Sequence, residues 1–430
     1  MTKITLVAIG SRGDTQPYLA LALGLQRAGY AVRLCAGDNF RDFVMGYGVE
    51  FMPVGVDIQH FINTRIPQVL ESGRNTLAAI RTVLREGLAH ADSMWAGIQA
   101  ACEDADAIAA NFLGVGAANI AAARGVPMFL LHSTPLIGKT WSAPPPTFPL
   151  RHTPGWMNAL LHELTETLLK QGLRGMLNRW RAALNLAPLA RWGWRFDALP
   201  EITIPMLYGH SPAVIARPAD WPTHWHVTGF WFLETPETWQ PPAALSAFLE
   251  GGTPPVYIGF GSMSGRKPEA TTRLVLEALR ISGQRGILAT GWGGLAQSDL
   301  PDTVYALESV PHDWLFPRVA AVVHHGGAGT TAAGLRAGVP SIIIPHFGDQ
   351  PFWGQQVKRL DVGVRPIPRK ELTAARLAEA LTQATGDVAL RQRAAVLGER
   401  IRAEDGVQNA VQLIERYLQS AEQHKGYKRL

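Results

Sequence analysis

The sequence predicts an α/β protein built from two Rossmann-like domains, each a doubly wound parallel sheet, and three observations carry that prediction. The chain has 430 residues, beyond the roughly 100 to 200 of one typical domain. A short apolar run that ends in a glycine turn and leads into a helical pattern occurs twice, at KITLVAIG (3–10) and at PVYIGFGSM (255–263). That unit opens a doubly wound fold. Between the two copies lies TGFWFLETPETWQPPAALSAFLEGGTPP (228–255), where Pro, Gly and Glu crowd together as in a linker. The expected division is residues 1–230 and 231–430, with the last helices packing back on the first domain. Two such domains facing one another leave a cleft, and ligands of open α/β sheets bind at the carboxyl ends of the strands.

The elements follow in order. After the strand 3–10 comes a turn, SRGDTQP, then a Leu- and Ala-rich helix entered through Pro17 and closed at Gly29. YAVRLCA (30–36) reads as the second strand, DNFRDFVMGYG (38–48) as a short helix and VEFMPVG (49–55) as the third strand. Residues 75–103 read as a helix, and DAIAANF and VPMFLLH as further strands of the same parallel sheet. The stretch 138–156, GKTWSAPPPTFPLRHTPGW, is too rich in proline for a regular element. Residues 157–186 read as a helical hairpin packing its apolar face on the domain; the competing reading is a greasy, basic surface near an acceptor or bilayer. In the second half a helix covers 269–283, strands fall at RGILAT, TVYAL, AAVVHH and PSIIIPH, and closing helices at 371–383, 386–403 and 406–420.

Composition narrows the class. Hydrophobic residues make up 47% and charged ones 17%, which is globular rather than disordered. Two cysteines give neither a disulfide framework nor a cysteine zinc site. The start MTKITLVAIG reads as a strand and not as a signal peptide, and no run approaches the ~18 apolar residues of a membrane span. The expected location is cytoplasmic, with peripheral contact at the inner face of the membrane through residues 157–196 as its extension. A net charge of +5 gives little reason to expect a nucleic acid partner. Within 151–200 seven cationic side chains stand against three carboxylates (7 − 3 = +4), with Trp156, Trp180, Trp192 and Trp194 among them.

The motifs exclude several chemistries. In GFGSMSG (259–265) Ser264 stands where a dinucleotide fingerprint needs its third glycine, Met263 stands at the serine of a nucleophile elbow, and GRKP (265–268) is no Walker ending. Asp104-Ala105-Asp106 reads as a solvated turn. The stretch HHGGAGT (324–330) is different. A strand delivers His325 and three glycines to the start of a helix whose first N–H groups lack intrahelical partners, a place suited to an anion. Thr330 offers a hydroxyl and His325 a ring N–H. A glycine turn with Thr330 as N-cap explains this stretch equally well by itself. Adjacent histidines on a strand point to opposite faces, which disfavours zinc. Downstream, Asp349 and Gln350 emerge at the end of the next strand, and a carboxylate beside a carboxamide suits the hydroxyls of a sugar.

With these residues in view, the chain resembles the UDP-glycosyltransferases of glycosyltransferase family one, which have the GT-B fold. SVPHDWLFPRVAAVVHHGGAGTTAAGLRAGVPSIIIPHFGDQPFWGQQV (309–357) is similar to the donor box of the sterol glucosyltransferase branch. GSRGDTQPYLALALGLQRAGY (10–30) resembles that branch and the bacterial antibiotic glycosyltransferases. The resemblance covers nearly the whole chain.

It implies an inverting transfer of a hexose, glucose first, from a UDP-sugar to a hydroxyl of a lipophilic acceptor such as a sterol or terpenoid. The nucleotide sugar is a substrate, and neither cofactor nor metal is implied. By position, Val310 and His312 line the base and ribose. His325, Gly327, Ala328, Gly329 and Thr330 hold the diphosphate with help from Ser262, and Asp349 and Gln350 hold the sugar. Ser11, Arg12, Gly13 and Asp14 come from the first loop of the N-terminal domain. The plant branch carries a Trp near Ser309 for stacking on the base; this chain lacks it, which leaves UDP and TDP as alternatives. The general base is expected to be Asp14, which also suits an N-cap for the first helix. Competing readings are another GT-B nucleotide-sugar enzyme, such as an epimerase, or a non-catalytic partner protein.

Overall fold

The computed structural model describes residues 1–57, 90–135, 138–148, 153–260, 268–289, 300–346 and 348–427. Ser262, residues 75–89 of the expected helix and the whole turn 261–267 lie outside them. The chain divides into two compact units, Met1–Leu233 with Asp405–Leu430, and Glu234–Glu404.

The first unit holds β1 (Lys3–Ala8), β2 (Ala31–Ala36), β3 (Glu50–Pro53), β4 (Ala107–Ala110), β5 (Met128–His132), β6 (Met206–Tyr208) and β7 (Trp225–Val227). They form one sheet in the order β3-β2-β1-β4-β5-β6-β7, every pair parallel, as where Lys3 faces Ala31 and Ile4 faces Ala107. The central strands are buried on both faces, so they read as unbroken apolar runs rather than alternations. On one face pack α1 (Arg12–Arg27) and, from the far end of the chain, the helix Gly406–Tyr427. The short α2 (Arg41–Met45) precedes β3, and the other face takes α3 (Ala91–Cys102), α4 (Ala117–Arg124) and the C-terminal half of α5 (Gly155–Ala183).

The second unit is a five-stranded parallel sheet, in the order β10-β9-β8-β11-β12. Its strands are β8 (Val256–Gly259), β9 (Gly286–Ala289), β10 (Val304–Leu307), β11 (Ala321–His324) and β12 (Ser341–Ile343). Helices Pro268–Ser282 and Ala374–Gly386 pack against one another beside it.

In both sheets the strand order reverses direction once, between β1 and β4 and between β8 and β11. At such a switch point two neighbouring loops leave in opposite directions and open a crevice at the carboxyl ends.

Several elements depart from the sequence reading. Helix α1 begins at Arg12, five residues before Pro17, because Ser11 and Asp14 form a capping box. Residues 155–183 are one continuous helix and not a hairpin; Gly172 and Gly175 sit within it. The crowded stretch 228–255 folds into the flanking units: the Trp231 indole donates to Thr228 Oγ1 (2.9 Å), and Ala243–Glu250 is a helix. Among the described residues no helix is long and apolar enough to cross a membrane.

Candidate functional site

At the switch point of the second unit, β11 ends on His324 and the chain turns through Gly326 into the helix Ala328–Ala337. Gly326 has φ +91°, and a Cβ there would overlap Ile343 Cγ2 and press on the Gln350 carbonyl, so only glycine fits. The helix N-cap is Gly327, not Thr330, and it offers no capping side chain. The first helical bond is Thr331 N to Gly327 O (3.0 Å). That leaves the N–H groups of Ala328, Gly329 and Thr330 without intrahelical partners, pointing along a favourable dipole.

The two histidines have separate roles. His324 is fully buried and its Nδ1 accepts the Gly326 N–H (3.1 Å), which shapes the turn. His325 is half-buried and lies against Gly327, where a Cβ would strike its Nε2. Its Nδ1 is buried with no partner among the described residues. Burial pushes His325 down to about 4 and holds His324 well below its ordinary value, so both are neutral at physiological pH. The rings are 6.4 Å apart at 90°. Among the described residues no group of three or more His, Cys, Asp or Glu is arranged to hold a metal.

Asp349 precedes the helix Gln350–Arg359 and its Oδ2 accepts from the Trp353 indole (2.9 Å). Gln350 is buried, and its Oε1 accepts the His346 N–H (2.7 Å). The pair is thus built into the strand-to-helix turn. Val310 buries its side chain in the core, and His312 stacks on Phe316 at 4.3 Å.

In this unit two site residues lie beyond the sequence reading. His346 follows β12, and its Nδ1 donates to Ile344 O (3.0 Å) while its Nε2 accepts from Arg369 (3.2 Å). This fixes the neutral tautomer, and burial together with Arg369 holds the ring at about 4. Arg369 also donates to Thr271 Oγ1 (3.3 Å), yet among the described residues it has no carboxylate partner. A half-buried guanidinium facing only neutral acceptors retains attraction for an anion.

At the switch point of the first unit, Ser11 caps α1 and Asp14 is its third residue. Asp14 is therefore not the N-cap. Asp14 Oδ2 accepts both the Ser11 N–H (2.8 Å) and the Ser11 hydroxyl (2.9 Å). Gly10, at φ +147°, makes room, since a Cβ there would overlap that carboxylate. Across the switch, Asn111 donates from Nδ2 to Ile9 O (2.6 Å) and accepts from Ile9 N (3.3 Å) and Gly114 N (3.0 Å), tying β4 to β1. Arg12 stacks its guanidinium over Phe43 at 4.7 Å, and Gly13 is exposed. The arrangement offers an oriented carboxylate in one unit and an anion cradle of backbone N–H groups and a neutral imidazole in the other.

Solved structures share this architecture. The glycotransferase of kitacinnamycin superposes with a TM-score of 0.72 at 21% identity, covering 97% of this chain and 99% of that one. The calicheamicin glycosyltransferase CalG4 gives 0.69 at 18% identity, covering 98% and 99%. The fold is GT-B. By sequence, residues 4–129 match the Glycosyltransferase family 28 N-terminal domain, and residues 293–416 match the Erythromycin biosynthesis protein CIII-like, C-terminal domain. The sterol 3-beta-glucosyltransferases UGT80A2 and UGT80B1 of Arabidopsis thaliana are each 37% identical, over 98% and 97% of this chain and 66% and 68% of their own lengths. That of Emericella nidulans is 36% identical over 97% of this chain and 30% of its own length. The chain belongs to the glycosyltransferase family of these sterol 3-beta-glucosyltransferases, and it spans from about a third to two thirds of their lengths.

Proposed function

We propose that the chain is an inverting hexosyltransferase that moves glucose from UDP-glucose to a hydroxyl of a lipophilic acceptor such as a sterol or terpenoid. The observation that carries this reading is the open helix start at Ala328–Thr330 beside the neutral, partly unpartnered His325. It is matched by family membership with enzymes named for sterol glucosylation.

In this reading the Asp14 carboxylate takes the acceptor's hydroxyl proton as that oxygen attacks the anomeric carbon from the face opposite the diphosphate. The bond from the anomeric carbon to the diphosphate oxygen breaks, and UDP leaves with the electron pair. The N–H groups of Ala328 and Gly329, the N–H and hydroxyl of Thr330, and His325 stabilise the departing charge, with Ser262 assigned to the same group by resemblance. Arg369 adds a fixed positive charge on that edge, a role that in other enzymes falls to a metal ion. Asp349 and Gln350 read the sugar hydroxyls, while Val310 and His312 border the base and ribose. Ser11 holds Asp14, and Arg12 and Gly13 flank it. No cofactor takes part. The partners are the donor, the lipid-like acceptor and the inner face of a membrane reached through residues 157–196, with no nucleic acid.

Incubating the protein with UDP-glucose or TDP-glucose and pooled sterols and terpenoids, followed by mass spectrometry, tests the reading. A product heavier than its acceptor by one hexosyl unit is expected with UDP-glucose. An epimerised sugar formed without any alcohol would assign an epimerase instead, and no turnover with any acceptor would assign a non-catalytic protein.

A further inference from the structure

Helix α5 is seated the wrong way round for a soluble helix in its first half. Its buried side chains there include Asn158, His162 and Thr165, while Leu160, Leu164 and Leu168 face solvent. Each of these buried polar side chains has a local partner, although His162 Nδ1 has none among the described residues. Asn158 donates to Trp141 O (2.9 Å), His162 meets Ala143 O (3.1 Å), and Thr165 donates to Leu161 O (2.8 Å). A surface helix normally buries its apolar stripe.

The exposed stripe is regular and continuous. Trp156, Leu160, Leu164 and Leu168 are spaced by four, which aligns them along one face over about 18 Å. Trp141 packs over the helix start at Gly155, and Gln171 donates to Arg191 O (2.6 Å), which brings Trp192 to the other end. All six side chains are between 47 and 63% exposed. A ridge of leucines with tryptophans at both ends has the form of an element lying in a bilayer interface, where indoles sit at headgroup level.

Charge selects the kind of bilayer. Lys170, Arg174 and Arg191 have no carboxylate within salt-bridge distance among the described residues, whereas Glu163 is paired with Lys139 at 2.9 Å. Arg191 lies over the Trp192 ring at 5.5 Å. Cations free of direct salt bridges beside an apolar ridge complement anionic lipid headgroups, although Lys170 also feels the Glu163 and Glu166 carboxylates. We infer that the ridge Trp141–Trp156–Leu160–Leu164–Leu168–Trp192 docks the protein in the plane of an anionic membrane surface. This sharpens the membrane contact proposed above and rests on the acceptor being lipid-borne.

Co-sedimentation of the whole chain with vesicles of phosphatidylcholine, alone or mixed with phosphatidylglycerol, tests it. The wild type is expected to pellet with the mixed vesicles and far less with phosphatidylcholine alone. The double variant L160E/L164E should lose at least about tenfold in partitioning with an unchanged melting temperature, because both side chains are exposed. It should also keep its turnover of a water-soluble alcohol while losing turnover of a vesicle-embedded sterol. The triple variant K170Q/R174Q/R191Q should lose the preference for phosphatidylglycerol. A wild type that stays in the supernatant, or a double variant that pellets like the wild type, overturns the inference. So does a wild-type dimer that the double variant converts to monomer, which would assign the ridge to a second copy. Failure of the wild type to glycosylate even the water-soluble alcohol would count against the proposed reaction and not against docking.

Discussion

Ser11 and Asp14 hold each other at the start of α1, the carboxylate oxygen Oδ2 receiving the backbone N–H at 2.8 Å and the hydroxyl at 2.9 Å from the same residue. A carboxylate held by two short donors has few rotamers left, which is what a general base requires. Asp14→Asn preserves the acceptor oxygen for the cap but removes the basic group. The variant should bind UDP as the wild type does and lose about 10²- to 10⁴-fold in kcat. Single-turnover assays beside UDP titration separate the two quantities, and full activity would remove Asp14 from the role of base.

The two adjacent histidines should fail in different ways. His325→Ala should reduce kcat/KM for the donor by about 100-fold while leaving the melting temperature nearly unchanged, since it removes a donor from the leaving-group site. His324→Ala opens a cavity and strips the Gly326 N–H of its acceptor, so a loss of about 2 to 4 kcal/mol in stability is expected. Urea unfolding and steady-state kinetics on both variants check the contrast. Equal kinetic losses with equal stability would show that the rings act together.

Arg369 should be read through the phosphates. Arg369→Met is expected to weaken UDP about tenfold or more, as loss of a charge-assisted contact does, and to leave uridine unaffected. Isothermal titration with uridine, UMP and UDP measures this directly. A uniform loss across all three would point to a structural role through His346 and Thr271.

Acid should destabilise the first unit. His132 and His210 are buried at the ends of adjacent strands, and burial holds each at about 4, with His210 acting on His132 as well. In the unfolded chain they take up protons at the ordinary value near 6.5. Stability is therefore complete above that pH and falls as pH drops from about 6.5 towards 4, by roughly 2 kcal/mol per imidazole at pH 5. The His210 ring has no side-chain hydrogen-bond partner among the described residues, its polar neighbour being the Ser211 backbone, so His210→Leu should fold and show a shallower pH dependence of urea unfolding. An unchanged slope would remove His210 from this account.

What the sequence made legible was set by the length and burial of each element. Strands such as Lys3–Ala8, six residues buried on both faces, stand out as apolar runs. Met206–Tyr208 and Trp225–Val227, three residues each, are too short for any period to appear. Pro17 is compatible with a first helical turn but lies inside the helix, whose start is set by the Ser11–Asp14 capping box. The glycine turn at 326–329 was readable because its chemistry is local. Asn111, His346 and Arg369 were not, because each gains its meaning from a neighbour on a different strand or helix. The inverted face of α5 was equally hidden, since leucines at a spacing of four look the same on paper whether they point inward or out.

The helix Gly406–Tyr427 closes the first unit from the opposite end of the sequence. Val407 and Val411 pack over Gly24, and His226 bonds to the Tyr417 hydroxyl at 3.0 Å. During synthesis these residues leave the ribosome only after the whole of Glu234–Glu404 has been made. At about 5 to 20 residues per second the nascent first unit waits on the order of ten seconds or more with an apolar face of α1 uncovered. Translation therefore finishes this unit second even though it begins it first, and that interval opens a window for aggregation or chaperone capture.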